Sequence, residues 1–446
     1  MQTQKLSEIN ATISKYRWTI CSLLFFATTI NYLDRQVLSL LKSDLEVTFG
    51  WNDVDYGNIT SFFQFTYAIS LLFAGRFIDW LGTKKGYAWA IIIWSAGAMG
   101  HALSRGTGGF MLWRGILGFG ESGNFPAAIK TTAEWFPKKD RALATGIFNS
   151  GSNIGAILAP LTVPFIAAYW GWQMAFIIVG SIGFIWLIFW LLLYDTPQKM
   201  LEKGKITQGE FNYIHSDKED AVKVVEEKNA LPWHVEWGKL LTYKQTWAFT
   251  IGKFMTDGVW WFFLFWLPDF LKTQYGMTTP QMAIPLAVLY SMTMVGSIGG
   301  GAFPMYFINK GMNPYAGRMK AMLIIALFPL VVLATQYMGG YSFWWAIVLI
   351  GIGASAHQAW SANIFTTVSD MFPKKVVGSV TGIGGMAGGV GGIVISQVAG
   401  HLFKFYDELG QKETGYTLMF LFCAVAYLLA WAIMKSLVPK FKPVSL

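Results

Sequence analysis

Charged residues are scarce in this sequence. Asp, Glu, Lys and Arg together account for 13% of its 446 residues, whereas a soluble domain carries roughly 25%. Hydrophobic residues account for 54%, and they cluster in runs long enough to span a bilayer, which takes about 20 residues of helix. A soluble protein of this length needs more charge to cover its surface. The composition therefore excludes that class and predicts a membrane protein.

Cysteine and histidine are scarce as well. The two cysteines, Cys21 and Cys423, lie in separate apolar segments, and the five histidines are scattered along the chain. These residues cannot build a disulfide framework, a metal cluster or a nucleophile–base set within the membrane. We therefore expect no cofactor, no metal site and no enzymatic activity.

Most basic residues lie in the loops between the apolar runs, and basic residues outnumber acidic ones by 34 to 25, a net charge of +9. They form no stripe of the kind that binds nucleic acid, so we expect the membrane to be their partner. Lys and Arg concentrate in alternate loops, and Asp and Glu concentrate in the loops between them. By the positive-inside rule, we expect an inner-membrane protein with both termini in the cytoplasm.

The apolar runs predict twelve transmembrane helices. Their predicted limits are 18–41, 58–79, 87–104, 109–133, 142–168, 174–194, 247–271, 282–308, 320–337, 342–368, 377–403 and 415–436. One long polar segment separates the sixth run from the seventh. The predicted domains are an N-terminal six-helix bundle (1–194), a cytoplasmic linker (195–246) and a C-terminal six-helix bundle (247–446).

A short internal repeat relates the two halves. The segment 136–139, Phe-Pro-Lys-Lys, recurs 236 residues later as 372–375, and each copy precedes a Gly-rich helix. The matched context favours duplication over chance. Two six-helix halves related by a pseudo-twofold axis are an architecture found in transporters. The predicted fold class is therefore an all-α membrane protein with twelve helices in two pseudo-symmetric halves.

A basic loop with tight glycine turns follows the second predicted helix, within residues 75–86. An Asp at a helix end beside such a turn and a basic pair can form ion pairs across helices and hold one conformation. The loop resembles the signature loop of the major facilitator superfamily. This resemblance implies the major facilitator fold and a gating role for Gly75, Asp79, Gly82, Lys84 and Lys85.

Three further segments resemble a narrower group. Residues 31–35 (Asn-Tyr-Leu-Asp-Arg) and 113–127 are similar to the anion:cation symporter family, and residues 256–268 resemble its hexuronate transporters. The resemblance implies proton-coupled import of an organic anion, with galacturonate or glucuronate as the expected substrate. Another sugar acid or organic carboxylate, such as galactonate, is the alternative. A further alternative is a non-transporting sensor with a transporter-like body.

Several charged residues lie within predicted helices, and four of them belong to the first and fourth helices of the segments quoted above: Asp34, Arg35, Arg114 and Glu121. A charge at the bilayer centre costs roughly 2.5–3.5 kcal/mol, so such residues are candidates for function. Arg35 suits a carboxylate because its planar fork can form two hydrogen bonds. Asp34 and Glu121 are the candidate proton-coupling residues, and the resemblance implies the same two acids. Arg114 lies two turns from Glu121 and is expected to tune it. The alternative is a static ion-pair network that fixes helix packing.

Further polar and aromatic residues are candidates for binding the substrate. They are Tyr32, Tyr67, Asn149, Ser152, Asn153, Trp260, Trp261, His357 and Trp360. Their side chains can hydrogen-bond or stack on a sugar, but the same residue types also serve helix packing. Lys253 and Asp257 are four residues apart and are expected to pair with each other. The expected partners are a small organic anion, a proton and the bilayer, and the expected state is a monomer.

Overall fold

The computed structural model describes residues 15–216, 238–372, 374–442 and 444. Every regular element in these ranges is helical. The first half contains α1 (Tyr16–Phe49), α2 (Asp53–Leu81), α3 (Thr83–Gly100), α4 (Thr107–Glu121), α5 (Asn124–Trp135), α6 (Lys138–Trp170) and α7 (Trp172–Leu193). Two short helices follow, α8 (Pro197–Glu202) and α9 (Gln208–Ile214). The second half contains α10 (Lys244–Tyr275), α11 (Ala283–Ile308), α12 (Pro314–Leu327), α13 (Thr335–Gly339), α14 (Phe343–Met371), α15 (Lys374–Glu408) and α16 (Lys412–Leu437).

These helices form the twelve transmembrane segments that the sequence predicts. The fourth segment consists of α4 and α5, and the ninth consists of α12, a 3-10 stretch and α13. Among the described residues, seven helical stretches are long and apolar enough to cross a membrane by length and composition alone: Asp53–Ile78, Ala144–Trp170, Trp172–Leu193, Thr279–Ile308, Tyr315–Gly339, Ser379–Glu408 and Lys412–Leu437. Other segments carry charges in their interior, such as Asp34 and Arg35 in α1. Large exposed side chains, including Phe73 and Leu192, suit a surface that faces lipid.

The fourth segment is interrupted, whereas the sequence predicted one helix over 109–133. Helix α4 ends at Glu121 and α5 begins at Asn124. Pro126 has no N–H to donate to the carbonyl of Ser122, so the helical hydrogen-bond ladder cannot continue unbroken through this point. The interruption leaves Glu121 as the last residue of α4, facing the interior of the bundle.

The halves meet along helices that pack closely. Helix α2 packs against α15, and α6 packs against α11. A Cβ atom on Gly57 of α2 would lie 2.8 Å from the carbonyl oxygen of Ser396 in α15, and one on Gly389 of α15 would lie 2.6 Å from Cβ of Ala68. Glycine is therefore needed for this approach, and close packing explains several glycines of the stretch 382–391, such as Gly389 and Gly391.

The beginning of the linker is folded against the first half. Glu210 of α9 is buried, and its carboxylate accepts hydrogen bonds from the backbone N–H groups of Tyr16 (3.2 Å) and Arg17 (3.0 Å) at the start of α1. The Arg17 side chain also pairs with Glu210 at 3.3 Å. A carboxylate at a helix N-terminus satisfies unpaired N–H groups and favours the helix dipole. The charged residues at 217–220 of the predicted linker lie outside the described residues.

Candidate functional site

A buried ion pair joins α1 to the end of α4. Nε of Arg35 donates to Oε2 of Glu121 at 2.5 Å, and both side chains are enclosed by protein. Nη2 of Arg114 donates to the backbone carbonyl of Arg35 at 2.7 Å. Two helical turns separate Arg114 from Glu121, so both side chains project from the same face of α4. Three of the four predicted charged residues therefore meet directly.

Several buried polar atoms of α1 and α4 have no hydrogen-bond partner within the described parts of the chain. They are both oxygens of Asp34, both amide atoms of Asn31, Oε1 of Glu121, Nη2 of Arg35, and Nε and Nη1 of Arg114. Buried polar groups are usually hydrogen-bonded, because an unsatisfied one costs about 1–3 kcal/mol. Such a concentration of unsatisfied atoms is typical of a site that binds a polar ligand or water.

Four aromatic rings surround the guanidinium of Arg35. Its Cζ lies 4.8 Å from the ring centre of Tyr32, 4.7 Å from that of Tyr67, and 5.6 Å from those of Phe63 and Trp261. Cation–π attraction stabilises the charge at these distances. Trp261 comes from α10, so the cage contains residues of both halves. The sequence predicted all of these residues except Phe63, whose side chain in an apolar helix gives no polar signal.

A second group of candidates lies in the second half. The ring of His357 in α14 stacks on that of Trp260 at 5.1 Å, and its Nδ1 shares a hydrogen bond with the Tyr427 hydroxyl at 2.9 Å. Trp360 packs edge-on against Tyr427 at 5.5 Å and is fully buried. The repeat offset places His357 at the position equivalent to Glu121. In the second half, that position is surrounded by aromatic residues.

Lys253 and Asp257 form the ion pair that the sequence predicts. Nζ of Lys253 lies 2.7 Å from Oδ2 of Asp257, one turn along α10. The Lys253 ammonium also lies 4.3 Å from the ring centre of Phe365. Both charges of this pair are therefore satisfied within the second half.

The three candidates on α6 lie in different environments. Asn149 is exposed, and the half-buried Ser152 hydroxyl donates to the Asn149 carbonyl at 2.7 Å. Asn153 is buried, and its Oδ1 accepts a hydrogen bond from Thr293 of α11 at 3.4 Å. Asn153 thus takes part in the contact between the two halves.

The residues of the predicted gating loop surround the turn between α2 and α3. Gly82 has a φ of +76°, a conformation that glycine adopts without steric strain. Gly75 lies within α2, Lys85 is exposed, and Lys84 is half-buried. The side chain of Asp79 lies outside the described residues.

Lys84 forms an ion pair between this loop and the start of the linker. Its Nζ lies 3.4 Å from Oδ2 of Asp195, which also accepts a hydrogen bond from Lys203 at 2.9 Å. Burial opposes ionisation of Asp195, but the hydrogen bonds from Lys203 and a backbone N–H outweigh it and lower the pKa of this carboxyl. The loop therefore has an ionised partner at neutral pH.

A second cluster of charged side chains was not predicted from the sequence. Nζ of Lys42 lies 2.5 Å from Glu46, 2.7 Å from Asp53 and 2.6 Å from Asp269. Nζ of Lys412 lies 2.9 Å from Asp53 and 3.4 Å from Asp269. We call these five residues the Lys42 cluster. Lys42 and Glu46 lie near the end of α1, and Asp269 lies near the end of α10. Asp53 and Lys412 begin α2 and α16, so the cluster lies on the side remote from the N-terminal tail and the linker.

The sequence profile of the Major Facilitator Superfamily matches residues 24–396. The chain belongs to this superfamily. Its members are transporters and not enzymes, which confirms the expectation from the sequence. As a superfamily member, the chain is a multi-pass membrane protein that binds a small-molecule substrate.

Individual relatives agree with this membership. The hexuronate transporter of Escherichia coli (strain K12) is 29% identical over 426 residues, which cover 95% of each chain. The galacturonate transporter of Dickeya chrysanthemi is 32% identical over 295 residues, which cover 66% of this chain and 83% of that one. The crystal structure of a bacterial homologue of the human lysosomal transporter Spinster, inward-facing and unoccupied, matches with a TM-score of 0.76 at 18% identity, covering 96% of this chain and 98% of that one. The last similarity confirms the fold.

Proposed function

We propose that this transporter is a proton-coupled symporter that imports a hexuronate, galacturonate or glucuronate, by alternating access. The relatives that carry hexuronate and galacturonate support the substrate class. We further propose that it acts as a monomer in the inner membrane, with both termini in the cytoplasm. The halves 1–194 and 247–446 would then rock around the Arg35 site, and the loop with Lys84 would stabilise one of the two conformations.

The observation that carries this proposal is the ion pair between Arg35 and Glu121 inside an aromatic cage. Arg35 presents a planar fork that suits a carboxylate, and its Nη2 has no hydrogen-bond partner among the described residues. Rings of Tyr32, Tyr67 and Trp261 surround it and offer faces and hydroxyl groups to a sugar. A sugar acid combines the two features that this site can bind.

The charges of the site argue for proton coupling. The site contains two arginines and two carboxylic acids, and its net charge is zero when all four side chains are ionised. A bound monoanion would leave one uncompensated negative charge in a buried place, which is costly. One proton on Glu121 or Asp34 restores neutrality. Uptake of the anion together with a proton is therefore favoured over uptake of the anion alone.

Glu121 and the substrate compete for the same guanidinium. Protonation of Glu121 weakens its bond to Arg35 and makes that edge available to the substrate carboxylate. After release of the substrate, loss of the proton restores the ion pair. Asp34, which lies next to Arg35 and has no partner among the described residues, is the second proton-coupling candidate. Arg114 fixes the backbone of α1 at Arg35 and adds positive potential.

Uptake of radiolabelled galacturonate into proteoliposomes tests this function. With an inward proton gradient, we expect accumulation above the external concentration, and a protonophore should abolish it. Arg35→Ala should reduce uptake roughly 10- to 100-fold, because a charged hydrogen bond contributes about 1.5–3 kcal/mol. Arg105→Ala is the matched control, since Arg105 is exposed in a loop and its loss should leave uptake unchanged.

The other outcomes separate the alternatives. Gradient-driven transport of galactonate without galacturonate uptake would retain the symporter and reject the hexuronate assignment. Galacturonate uptake that does not respond to the gradient would reject proton coupling. Galacturonate binding without flux would favour the sensor.

A further inference from the structure

We infer that the Lys42 cluster is an electrostatic latch that closes the outer side of the transport path and opens when the two halves separate there. The outer side here means the side opposite the N-terminal tail and the linker. The proposed orientation determines only whether this side faces away from the cytoplasm. The latch does not depend on which substrate is carried.

The cluster connects the two halves directly. Lys42 of α1 contacts Asp269 of α10 at 2.6 Å, and Asp53 of α2 contacts Lys412 of α16 at 2.9 Å. The Lys42, Asp53 and Asp269 side chains are 1%, 4% and 2% exposed, so little water screens these contacts. Tyr416 also donates a hydrogen bond to Asp269. Charges enclosed in this way favour the closed arrangement.

The same charges keep partners when the halves separate. Within the first half, Lys42 still has Glu46 at 2.5 Å and Asp53 at 2.7 Å. Within the second half, Asp269 still has Lys412 at 3.4 Å. Opening therefore breaks two contacts, Lys42 with Asp269 and Asp53 with Lys412. Each charged residue of the cluster keeps an oppositely charged partner within its own half. These partners within each half lower the cost of separating the halves, as a latch that opens and closes requires.

The latch lies in line with the Arg35 site on the same helices. Lys42 follows Arg35 by two turns of α1, a rise of about 10 Å. A layer of aromatic residues fills the space between them: the Tyr56 hydroxyl of α2 donates to the Phe265 carbonyl of α10 at 2.7 Å, and its ring packs on Trp266 at 4.9 Å. Because Arg35 and Lys42 share α1, and Trp261 and Asp269 share α10, we expect a displacement of these helices at the Arg35 cage to reach the latch.

A metal site is the competing interpretation of the same carboxylates. The acidic side chains of Glu46, Asp53 and Asp269 have oxygen atoms within 4.8 Å of one another. Nζ of Lys42 lies within 2.7 Å of all three residues and already supplies the cation. The cluster is therefore complete without a metal ion.

Distances between spin labels on the two halves test the latch. Cys21→Ala and Cys423→Ala remove the two native cysteines, both of which are buried. The outer pair of labels is placed at Val47 and Leu409, which are 84% and 56% exposed, and the inner pair is placed at Trp80 (81% exposed) and the exposed Lys310. Lys42→Gln is the test variant. Lys404→Gln is its matched control, since Lys404 pairs with Glu408 on the same helix, at 3.9 Å and in water.

For Lys42→Gln we expect the ratio of long to short outer distances to rise about tenfold, because removing one partner of a buried ion pair strongly disfavours the arrangement that contains it. The inner distance should shorten in the same molecules, since the halves rock. Lys404→Gln should match the unmodified protein. This readout needs no substrate, so it remains informative even if galacturonate is not carried.

Two outcomes would overturn the inference. One is an unchanged outer distance in Lys42→Gln, and the other is a longer outer distance without a shorter inner one, which would indicate local loosening. If Lys42→Gln does not fold, Lys412→Gln takes its place under the same criteria. Lys412 is 15% exposed at the edge of the cluster, so its replacement disturbs packing less.

Discussion

In the proposed mechanism, proton binding and substrate binding compete at Glu121. Its bond to Nε of Arg35 uses the edge of the guanidinium that a carboxylate ligand needs. The aromatic cage holds the guanidinium in place whether or not Glu121 is ionised, because cation–π attraction does not depend on the carboxylate. Removing the charge of Glu121 should therefore separate coupling from binding.

We predict that Glu121→Gln uncouples transport from the proton gradient. Glutamine resembles the protonated acid, so Arg35 stays available and galacturonate counterflow should persist within about threefold of the unmodified protein. Gradient-driven accumulation should fall to the equilibrium level, and uptake should lose its rise at low external pH. Counterflow and gradient-driven uptake are measured in the same proteoliposomes. Glu408→Gln is the control, because Glu408 is 66% exposed; retained accumulation in Glu121→Gln would contradict the assignment.

The sequence predicted the charged residues of the site but not all of their contacts. Asp34, Arg35, Arg114 and Glu121 are evident as charges within apolar runs, and the helical spacing places Arg114 and Glu121 on one face of α4. The contacts of that face with Arg35 of α1 depend on how the helices pack. Lys42 was missed because the first helix was expected to end at residue 41. Hydropathy ends a predicted span where charges begin, whereas α1 continues to Phe49 and carries Lys42 into the interior.

At the scale of elements, glycine determines how closely α15 approaches its neighbours. Gly389 and Gly382 lie two turns apart on this helix, but only Gly389 has a neighbour within 4 Å of the place where a Cβ would be. That neighbour is Ala68 of α2, across the boundary between the halves. A side chain is thus excluded by close packing at position 389 of α15 but not at position 382.

Gly389→Ala should destabilise the protein, and Gly382→Ala should not. The methyl group at 389 would lie 2.6 Å from Cβ of Ala68 and force the helices apart, at a cost of about 1–3 kcal/mol. At 382 the methyl group meets open space, and the gain in helix propensity gives a neutral or slightly stabilising change of up to about 1 kcal/mol. Thermal unfolding in detergent compares the two variants. Equal melting temperatures would argue against close contact between α2 and α15.

Element boundaries were less predictable than element number. The interruption between α4 and α5 comes from Pro126, but the apolar run continues across it and gives hydropathy no reason to stop. In the linker, Glu210 was expected in a polar surface segment, yet it is buried against the start of α1. Both differences depend on hydrogen bonding between particular backbone groups, which composition does not report.

At the scale of the whole molecule, the fold follows from the alternation of apolar runs and basic loops. Twelve spans, the repeat at an offset of 236 residues and the resemblance of the loop within residues 75–86 predicted the major facilitator fold. The superfamily profile over residues 24–396 confirms it. The repeat does not extend to the residue types at the equivalent positions of the two halves. The first half concentrates charges around Arg35, whereas the second half has His357 and aromatic partners at the matching position. Duplication explains the shared architecture, whereas the residue types at the equivalent positions 121 and 357 differ between the halves.

The distribution of charge also predicts the direction in which the molecule faces the membrane. The positive-inside rule places Lys84, Lys85 and the linker in the cytoplasm and the end of α1 outside. In a chain lacking Cys21 and Cys423, a membrane-impermeant maleimide should label Val47→Cys in intact spheroplasts expressing the protein. Lys205→Cys, which is also exposed in the structure, should react only after the membrane is permeabilised. The reverse pattern would place both termini outside, and the Lys42 cluster would then close the cytoplasmic side of the transport path.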